Sequence, residues 1–392
     1  MLRFLTSGES HGPGLIVILD GLPAGLPFAR SRIDDDLRRR QGGYGRGGRM
    51  KIERDTAEAL SGVRHGHTLG SPITLRIANR DWANWQEAMS ADPIAEPTEA
   101  VTRVRPGHAD LTGALKYGHD DVREVIERAS SRETAARVAA GGVCRLLLEA
   151  FGVAIHSHVL SVAEVGYPPD GAPDIGQVNA AFWERVEASP MRCADAALTQ
   201  RMIERILEGK RQGDTCGGVF EVVATGVPVG LGSYSQWDRR LSGRVAQALM
   251  SIPSAKGVEI GAGFSAAALP GSQVHDVARY DATTGWTHLT NNAGGIEGGI
   301  SNGAPIVARV AVKPIPTLAH PLPSVDVRTG EEIAVTRYER SDVCVVPAAG
   351  VVGEAMLALT LADAWLEKFG GDSLREMRAN VEQYLASLRR TT

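Results

Sequence analysis

The residues able to do chemistry concentrate in one span. Thr102 to Arg137 reads TRVRPGHADLTGALKYGHDDVREVIERASSRETAAR. Arg103, Arg105 and His108 surround a Pro106–Gly107 turn, and the span ends on a helix start rich in hydroxyls and arginines. Guanidinium groups match carboxylate and phosphate oxygens two at a time. A helix N-terminus with Ser130, Ser131 and Arg132 offers N–H groups, which suit a phosphate. An imidazole in the same span brings proton transfer near neutral pH. Together these describe an anion site with acid–base chemistry attached.

Other segments carry chemical groups of their own. In Gly8-Glu9-Ser10-His11-Gly12, the flanking glycines let the backbone turn sharply and leave His11 accessible. Taken alone, His11 reads as an ordinary loop histidine. Gly42 to Arg49 reads GGYGRGGR and contains G-x-G-x-x-G. It follows an arginine-rich helix and precedes the strand-like MKIERD, the reverse of what a dinucleotide fingerprint requires. It also resembles an RGG-type RNA tract, yet it holds only Arg46 and Arg49 and is embedded in structured chain. We read it as a mobile loop. Arg38 to Lys51 contains six cations and no acid, which suits a polyanion or a solvated face. Asn291 to Gly303 is glycine-rich but lacks the lysine and hydroxyl of a Walker loop. With the Lys313-Pro314-Ile315-Pro316-Thr317 corner it reads either as backbone fitted to a flat phosphorylated cofactor or as a hairpin connection. The histidine pairs 65/67 and 156/158 have no Cys, Asp or Glu nearby to complete a ligand set, so no metal site is expected.

The elements that must position these groups follow from periodicity. GLIVILD at 14–20, SPITLRIAN at 71–79, Val219 to Thr225, Gly257 to Phe264 and Pro305 to Lys313 read as strands. Ser31 to Arg40 reads as a helix with a Ser31–Asp34 capping pair and charges that complement its dipole. A helix capped by Ser130 and Glu133 follows the central span, and Gly141 and Gly142 within it imply close approach of another element. Helices are also expected over Thr199 to Gly209, from Asp238 onward, over Glu354 to Phe369 and over Ser373 to Arg389. Trp82 and Trp85 lie in an expected packed or partner-facing loop, and Pro168 to Pro190 in an exposed excursion. Arg340 and Asp342 stand at the mouth of an expected buried strand ending at Pro347.

With 392 residues, 43% apolar and 22% charged, the chain can bury a large core without staples. No repeat, low-complexity tail or linker is evident, which points to a single intertwined domain over 1–392. A net charge of -4 gives no global pull toward nucleic acid or anionic membrane, so positive charge must be local. Cys144, Cys193, Cys216 and Cys344 form no C-x-x-C pair and read as buried thiols of a reducing cytoplasm. The N-terminus shows no signal-peptide pattern. The apolar segment from Val345 to Leu366, interrupted by Glu354 and Asp363, reads as a core helix rather than a membrane span.

Eight stretches in their order resemble one family. GESHG at 8–12, RRRQGGYGRGGRM at 38–50, RPGHAD at 105–110, RASSRETAARVAAG at 128–141, KGVEIGAGF at 256–264, AGGIEGGISNG at 293–303, KPIPT at 313–317 and RSDVCVVPAAGVV at 340–352 are similar to chorismate synthase. The resemblance implies an α+β fold, a β-α-β sandwich of antiparallel sheets and helices, assembled as a homotetramer. It implies conversion of 5-enolpyruvylshikimate 3-phosphate to chorismate and phosphate, by loss of the 3-phosphate and a C6 proton. Reduced FMN is required although net redox change is absent, and NADPH or a separate flavin reductase would supply the reduction.

Site residues carry over by position. The resemblance implies His11 as acid for the departing phosphate, His108 near flavin N1 and Asp342 acting through N5. Ser10, Arg40, Arg46, Arg49, Arg105, Arg132 and Arg337 would bind substrate. Arg128, Ala129, Ser130, Pro253, Ser254, Gly298, Lys313, Pro314, Ile315, Pro316, Thr317 and Arg340 would hold FMN, with Arg40 and Arg46 also matching NADPH positions. Rival readings are an RNA-binding protein using the Arg/Gly tract and a flavin-dependent NADPH oxidoreductase.

Overall fold

The computed structural model describes all residues except 48–53, 97, 169–170, 282–284, 336–341 and 389–392. Two antiparallel sheets enclose a layer of helices. The first sheet has the order Arg3–Ser7, Gly14–Asp20, Ile73–Ala78, Glu58–Ser61. The second has the order Ala255–Ile260, Ile306–Val312, Gly218–Thr225, Ala154–Val162, Val165–Gly166. The first sheet packs on the helix Thr134–Glu149, the second on the helix Val346–Phe369, and these two helices pack on each other. This is the expected α+β sandwich.

Alternation decides which face of each strand is inside. In the first sheet Leu15, Val17 and Leu19 pair with Ile77, Leu75 and Ile73, and all six are buried. The strand Arg3–Ser7 was not expected; read as a polar segment, it is an edge strand paired with Gly14–Asp20. On the outer face Leu5 stays 70% exposed and its partner Ile18 42% exposed.

The close approach implied by two glycines is present. A Cβ on Gly141 would lie 2.4 Å from the Ala355 Cβ, and one on Gly142 would lie 3.2 Å from Ile33 Cγ1. Gly353 lies under the Phe220 ring in the same way, 2.5 Å from Cε2. Small residues let the helices and the second sheet meet at backbone distance.

Several expectations are corrected. The helix expected from Glu354 begins eight residues earlier, at Val346; among the described residues just before it, 342–345, there is no strand, and Cys344 forms an isolated bridge to Cys216. Pro347 sits in the first turn, where its missing N–H costs nothing. This is the one helix among the described residues long and apolar enough to cross a bilayer, yet 94% of its most apolar window is buried inside the protein. The 31–40 helix runs Arg30–Gln41 and has no side-chain cap; Asp34 instead accepts the Ala57 N–H at 2.7 Å. The helix near 130 is capped by Ser130, but through a short 3-10 turn, Ser131–Glu133, before Thr134–Glu149 begins. The Pro168 to Pro190 excursion contains the helix Ala180–Ala188, which buries Phe182 and Val186. The strand expected to reach Phe264 ends at Ile260, where Gly261 and Gly263 take positive φ. Leu385, expected inside the last helix, is exposed.

An ion cluster ties the helices to the second sheet. Glu354 has no solvent exposure, and its oxygens accept from Arg39 at 2.8 Å, Arg145 at 2.6 Å, Arg192 at 2.9 Å and Ser157 Oγ at 2.7 Å. Burial pushes its carboxyl up, but the charges of Arg39, Arg145 and Arg192 hold it well below the ordinary value of 4.5. The depressed value means that its stabilising contribution is present above the ordinary value and lost as pH falls through the folded one. Glu354→Gln leaves buried arginines short of their counterion, and should destabilise the fold by about 3–5 kcal/mol in urea denaturation at neutral pH.

Candidate active site

The loop bearing His11 is held from below by one amide. Asn79 Nδ2 donates to the carbonyls of Glu9 at 3.2 Å, Ser10 at 3.2 Å and Gly12 at 2.7 Å. Its Oδ1 accepts from Arg132 Nε at 3.1 Å and Nη2 at 2.9 Å. Arg132 Nη1 in turn meets Asp55 Oδ2 at 2.6 Å, and Arg40 Nη1 reaches the same oxygen at 3.4 Å. Arg40 also donates to Thr134 Oγ1 and to the Ser131 carbonyl. Two buried guanidiniums thus share one buried carboxylate. Burial first, then Arg132 and Arg46 nearby, lower Arg40 to about 9 despite Asp55.

His11 itself is fixed by Glu127, from the helix Arg123–Ala129. Its Nδ1 lies 2.9 Å from Oε1 and 3.0 Å from Oε2, and its backbone N–H donates to Oε2 at 2.8 Å. Trp85 stacks on the imidazole with ring centroids 3.9 Å apart. The 80–92 segment, expected as a packed or partner-facing loop, therefore covers His11. It starts as a 3-10 turn, Arg80–Asn84. Arg128 donates to Thr6 and Gly8 carbonyls, bracing the base of the His11 loop.

The glycine loop after Gly42 lies on the start of the long central helix. Arg46 Nη1 pairs with Asp342 Oδ2 at 2.9 Å, and the Val343 N–H donates to the Gly45 carbonyl at 2.8 Å. Because Arg40 feels the charges of both Arg46 and Asp342, these residues join the His11–Arg132–Arg40 group.

A second group surrounds His108. Asp110, with no exposure, accepts from Arg105 Nε at 2.8 Å, Nη2 at 3.1 Å and the Arg105 backbone N–H at 3.0 Å. It also contacts His108 Nδ1. Arg105 Nη2 lies 3.1 Å from the same Nδ1. An ionised carboxylate only accepts, so Nδ1 carries the hydrogen toward Asp110 and cannot also accept from Arg105. Burial raises the Asp110 carboxyl, but His108 and Arg105 outweigh it and bring it to about 2. The KPIPT corner lies alongside. Lys313 Nζ donates to the Gly107 carbonyl, Arg105 Nη1 reaches Thr317 Oγ1 at 3.4 Å, and the Lys313 N–H donates to Ser254 O at 2.9 Å. Ser254 has φ 72°, so its backbone is turned as few L-residues are.

The two groups are joined through the helix Arg123–Ala129. Its Glu127 reaches His11, while Val122 and Ile126 share a small apolar cluster with Val101, Val104 and Ala114 around the Arg105–Asp110 turn. Other expected residues sit differently. Arg103 is exposed and bridges to Asp326, so it does not converge with Arg105. Ser130 Oγ accepts the Arg132 N–H, so part of the supposed phosphate seat is used internally. Gly298 and Gly299, both at positive φ, make the two-residue turn of a hairpin joining Ile296–Glu297 to Ile300–Ser301. Ala129, Pro253, Pro314, Ile315 and Pro316 are partly buried or exposed neighbours of these turns. Arg49, Arg337 and Arg340 lie outside the described residues. His156 and His158 are not isolated: His156 stacks on Trp183, and His158 pairs with Glu221 at 3.0 Å. Among the described residues no group of His, Cys, Asp and Glu could hold a metal ion.

The residues not anticipated are Asn79, Asp55, Glu127, Asp110 and Trp85. Asp110 stands two residues after His108, and that spacing was the available signal. Asn79, Asp55 and Trp85 lie far from their partners in sequence, so local pattern carried none.

Comparison with known proteins places the chain. A family model described as chorismate synthase matches residues 2–366. The chorismate synthase of Moorella thermoacetica is 57% identical over 99% of this chain and 100% of its own length. That of Aquifex aeolicus is 55% identical over 98% of this chain and 97% of its own. A crystal structure of chorismate synthase superposes with a TM-score of 0.80 at 45% identity, covering 99% of this chain and 98% of that one. The site and fold are therefore those of an α+β lyase acting on a small molecule. The chain belongs to the chorismate synthase family, whose members serve aromatic amino acid biosynthesis.

Asp110 supplies a test of this geometry by pH. Its folded value near 2 lies below the ordinary 3.8, so its stabilisation is full above about pH 4 and lost as pH falls toward 2. Asp110→Asn should remove about 2 kcal/mol at neutral pH and flatten this part of the acid-denaturation curve.

Proposed function

We propose that the protein converts 5-enolpyruvylshikimate 3-phosphate to chorismate and phosphate in a 1,4-elimination. The C3–O bond breaks, the C6 proton leaves, and the ring gains a double bond. The observation that carries this reading is the pair Arg40 and Arg132 sharing one carboxylate, set beside His11 and next to Arg46–Asp342. Two buried guanidiniums drawn to one place suit a substrate with a phosphate and two carboxylates. Arg49, Arg105 and Arg337 are assigned to the same substrate by position in the sequence, as is Ser10 next to His11. His11 gives a proton to the departing phosphate oxygen. Imidazole and phosphate monoesters both exchange protons near neutral pH, which suits them as donor and acceptor.

Reduced FMN is the group we assign to the second cluster, and the residues there fit it. The Gly107 turn lies close against the KPIPT corner: a Cβ at Gly107 would come within 3.4 Å of Lys313 Nζ and 3.5 Å of Pro316 Cβ. Lys313 and Arg128 offer cations to a phosphate tail, and the turns at Ser254 and Pro314–Thr317 offer backbone groups. Ala129, Ser130, Pro253, Gly298 and Arg340 complete the assignment by position. When bound, reduced flavin supplies electron density as the C–O bond breaks. His108, fixed by Asp110, would hold a proton near the flavin's N1 side. Asp342, kept in place by Arg46, would serve as the proton acceptor near its N5 side.

NADPH at Arg40 and Arg46, or a separate flavin reductase, supplies the reduction. The exposed apolar face with Leu5 and Ile18 supports assembly as a homotetramer. Four free buried cysteines suit a cytoplasmic location.

The test is an anaerobic assay with dithionite-reduced FMN and the enolpyruvyl substrate, with and without NADPH. Chorismate should form without net consumption of NADPH; stoichiometric NADPH oxidation without chorismate would instead make the protein an NADPH oxidoreductase. His11→Ala should bind FMN normally and lose about 10²–10⁴ in turnover. Asp342→Asn should bind substrate and fail to turn it over; an active variant removes Asp342 from the proton path.

A further inference from the structure

His11 has its main chain and its ring held by a single carboxylate. Glu127 is 2% exposed, and each of its oxygens lies within 3.0 Å of Nδ1. The same group takes the His11 backbone N–H, so ring and loop cannot move independently. We propose that Glu127 is a positioning residue for the reaction: it fixes the Nδ1 hydrogen of His11, so that the proton handed to the departing phosphate oxygen leaves from Nε2. The proposal rests on the reading of His11 as the acid.

The argument begins with what a carboxylate can do. Ionised, Glu127 accepts and cannot donate, so Nδ1 must carry a hydrogen in every protonation state of the ring. Glu127 is ionised because its partners keep it so. Burial raises its carboxyl, while His11 and then Arg123 bring it below the ordinary value. A neutral His11 is therefore the Nδ1–H tautomer, and its charged form differs only by a hydrogen on Nε2. Transfer breaks the Nε2–H bond and makes an O–H bond on phosphate, leaving the neutral tautomer that Glu127 favours. The product state of the proton transfer is thus already organised before the transfer occurs.

Trp85 fixes the remaining degree of freedom. Its indole N–H donates to Asp81 at 2.9 Å, and its face lies on the imidazole. The Arg123 guanidinium lies 5.3 Å over the same indole and 3.4 Å from Glu127 Oε1. Among the described residues, the charged groups facing the ring include Glu127 and Arg123 on one helix and Asp81 behind Trp85. An aromatic face favours a cation against it, which helps the acid form wait for substrate.

The experiment uses Glu127→Gln and Glu127→Asp in the FMN-loaded protein, with ¹⁵N-histidine spectra and anaerobic pH–rate profiles. Glutamine keeps the shape and removes the charge. The alkaline limb of the Gln profile should move to lower pH by about one unit, a roughly tenfold loss of kcat on that limb with KM little changed. Its His11 spectrum should show the Nε2–H tautomer mixed with the Nδ1–H form. Aspartate keeps the charge and should restore the limb, even at reduced rate. Unchanged His11 spectra in Gln would overturn the role of Glu127 and leave His11 as acid standing. Changed spectra with an unmoved profile would overturn His11 as acid, and the proposal with it. If the Gln variant fails to fold, the Asp variant decides alone: its limb must coincide with that of the wild type, and a displaced limb overturns the proposal.

Discussion

The structure depends on a carboxylate that water never reaches. Glu354 stays charged because arginines from three other segments meet it, and Asp36 and Glu187 share those arginines with it. Arg39 comes from the helix Arg30–Gln41, Arg145 from Thr134–Glu149, and Arg192 from the turn after Ala180–Ala188. The contact fixes the rotation of the first helix. Arg40, one residue on, is thereby turned away from Glu354 and toward Asp55 and Thr134. Adjacent arginines thus serve different ends: one holds the architecture, the next lines the site that the architecture presents.

The site follows the same rule on a smaller scale. Several groups with a proposed role are backed by a buried carboxylate or amide: Glu127 behind His11, Asp110 behind His108 and Arg105, Asp55 behind Arg40 and Arg132, and Asn79 behind the loop at Ser10. Such partners remove rotational freedom before any ligand arrives, which is the structural content of preorganisation.

Much of this was legible in the sequence. The strands 14–20, 73–78 and 306–312 declared themselves by length and β-branched content, and the glycine pair at 141–142 declared a close helix contact. The groups that carry chemistry were visible as residue types in recurring stretches. Their partners were not. Asn79 read only as the end of a strand, and Glu127 as one acid in a charged helix, because what makes them matter is a contact more than 50 residues away in each case. The start of the helix at Val346 fell where two readings overlapped, a buried strand ending at Pro347 and a core helix over Val345 to Leu366. A proline in the first turn breaks nothing, and the glycines after it are spaces for Ser157 and Phe220.

Two arginines share one aspartate in a dry place, and Arg40 is lowered by burial first and by its neighbours Arg132 and Arg46 after it. Asp55 has a buried Oδ1 with no hydrogen-bond partner among the described residues, so its carboxylate is held from one side only. Arg132 and Arg46 both disfavour the charge on Arg40, a repulsion that an anion placed beside them offsets. Part of the affinity for such a ligand is stored in advance as tension within the fold. By linkage, occupancy tightens the whole molecule, since a ligand bound only by the native state shifts the balance away from unfolding.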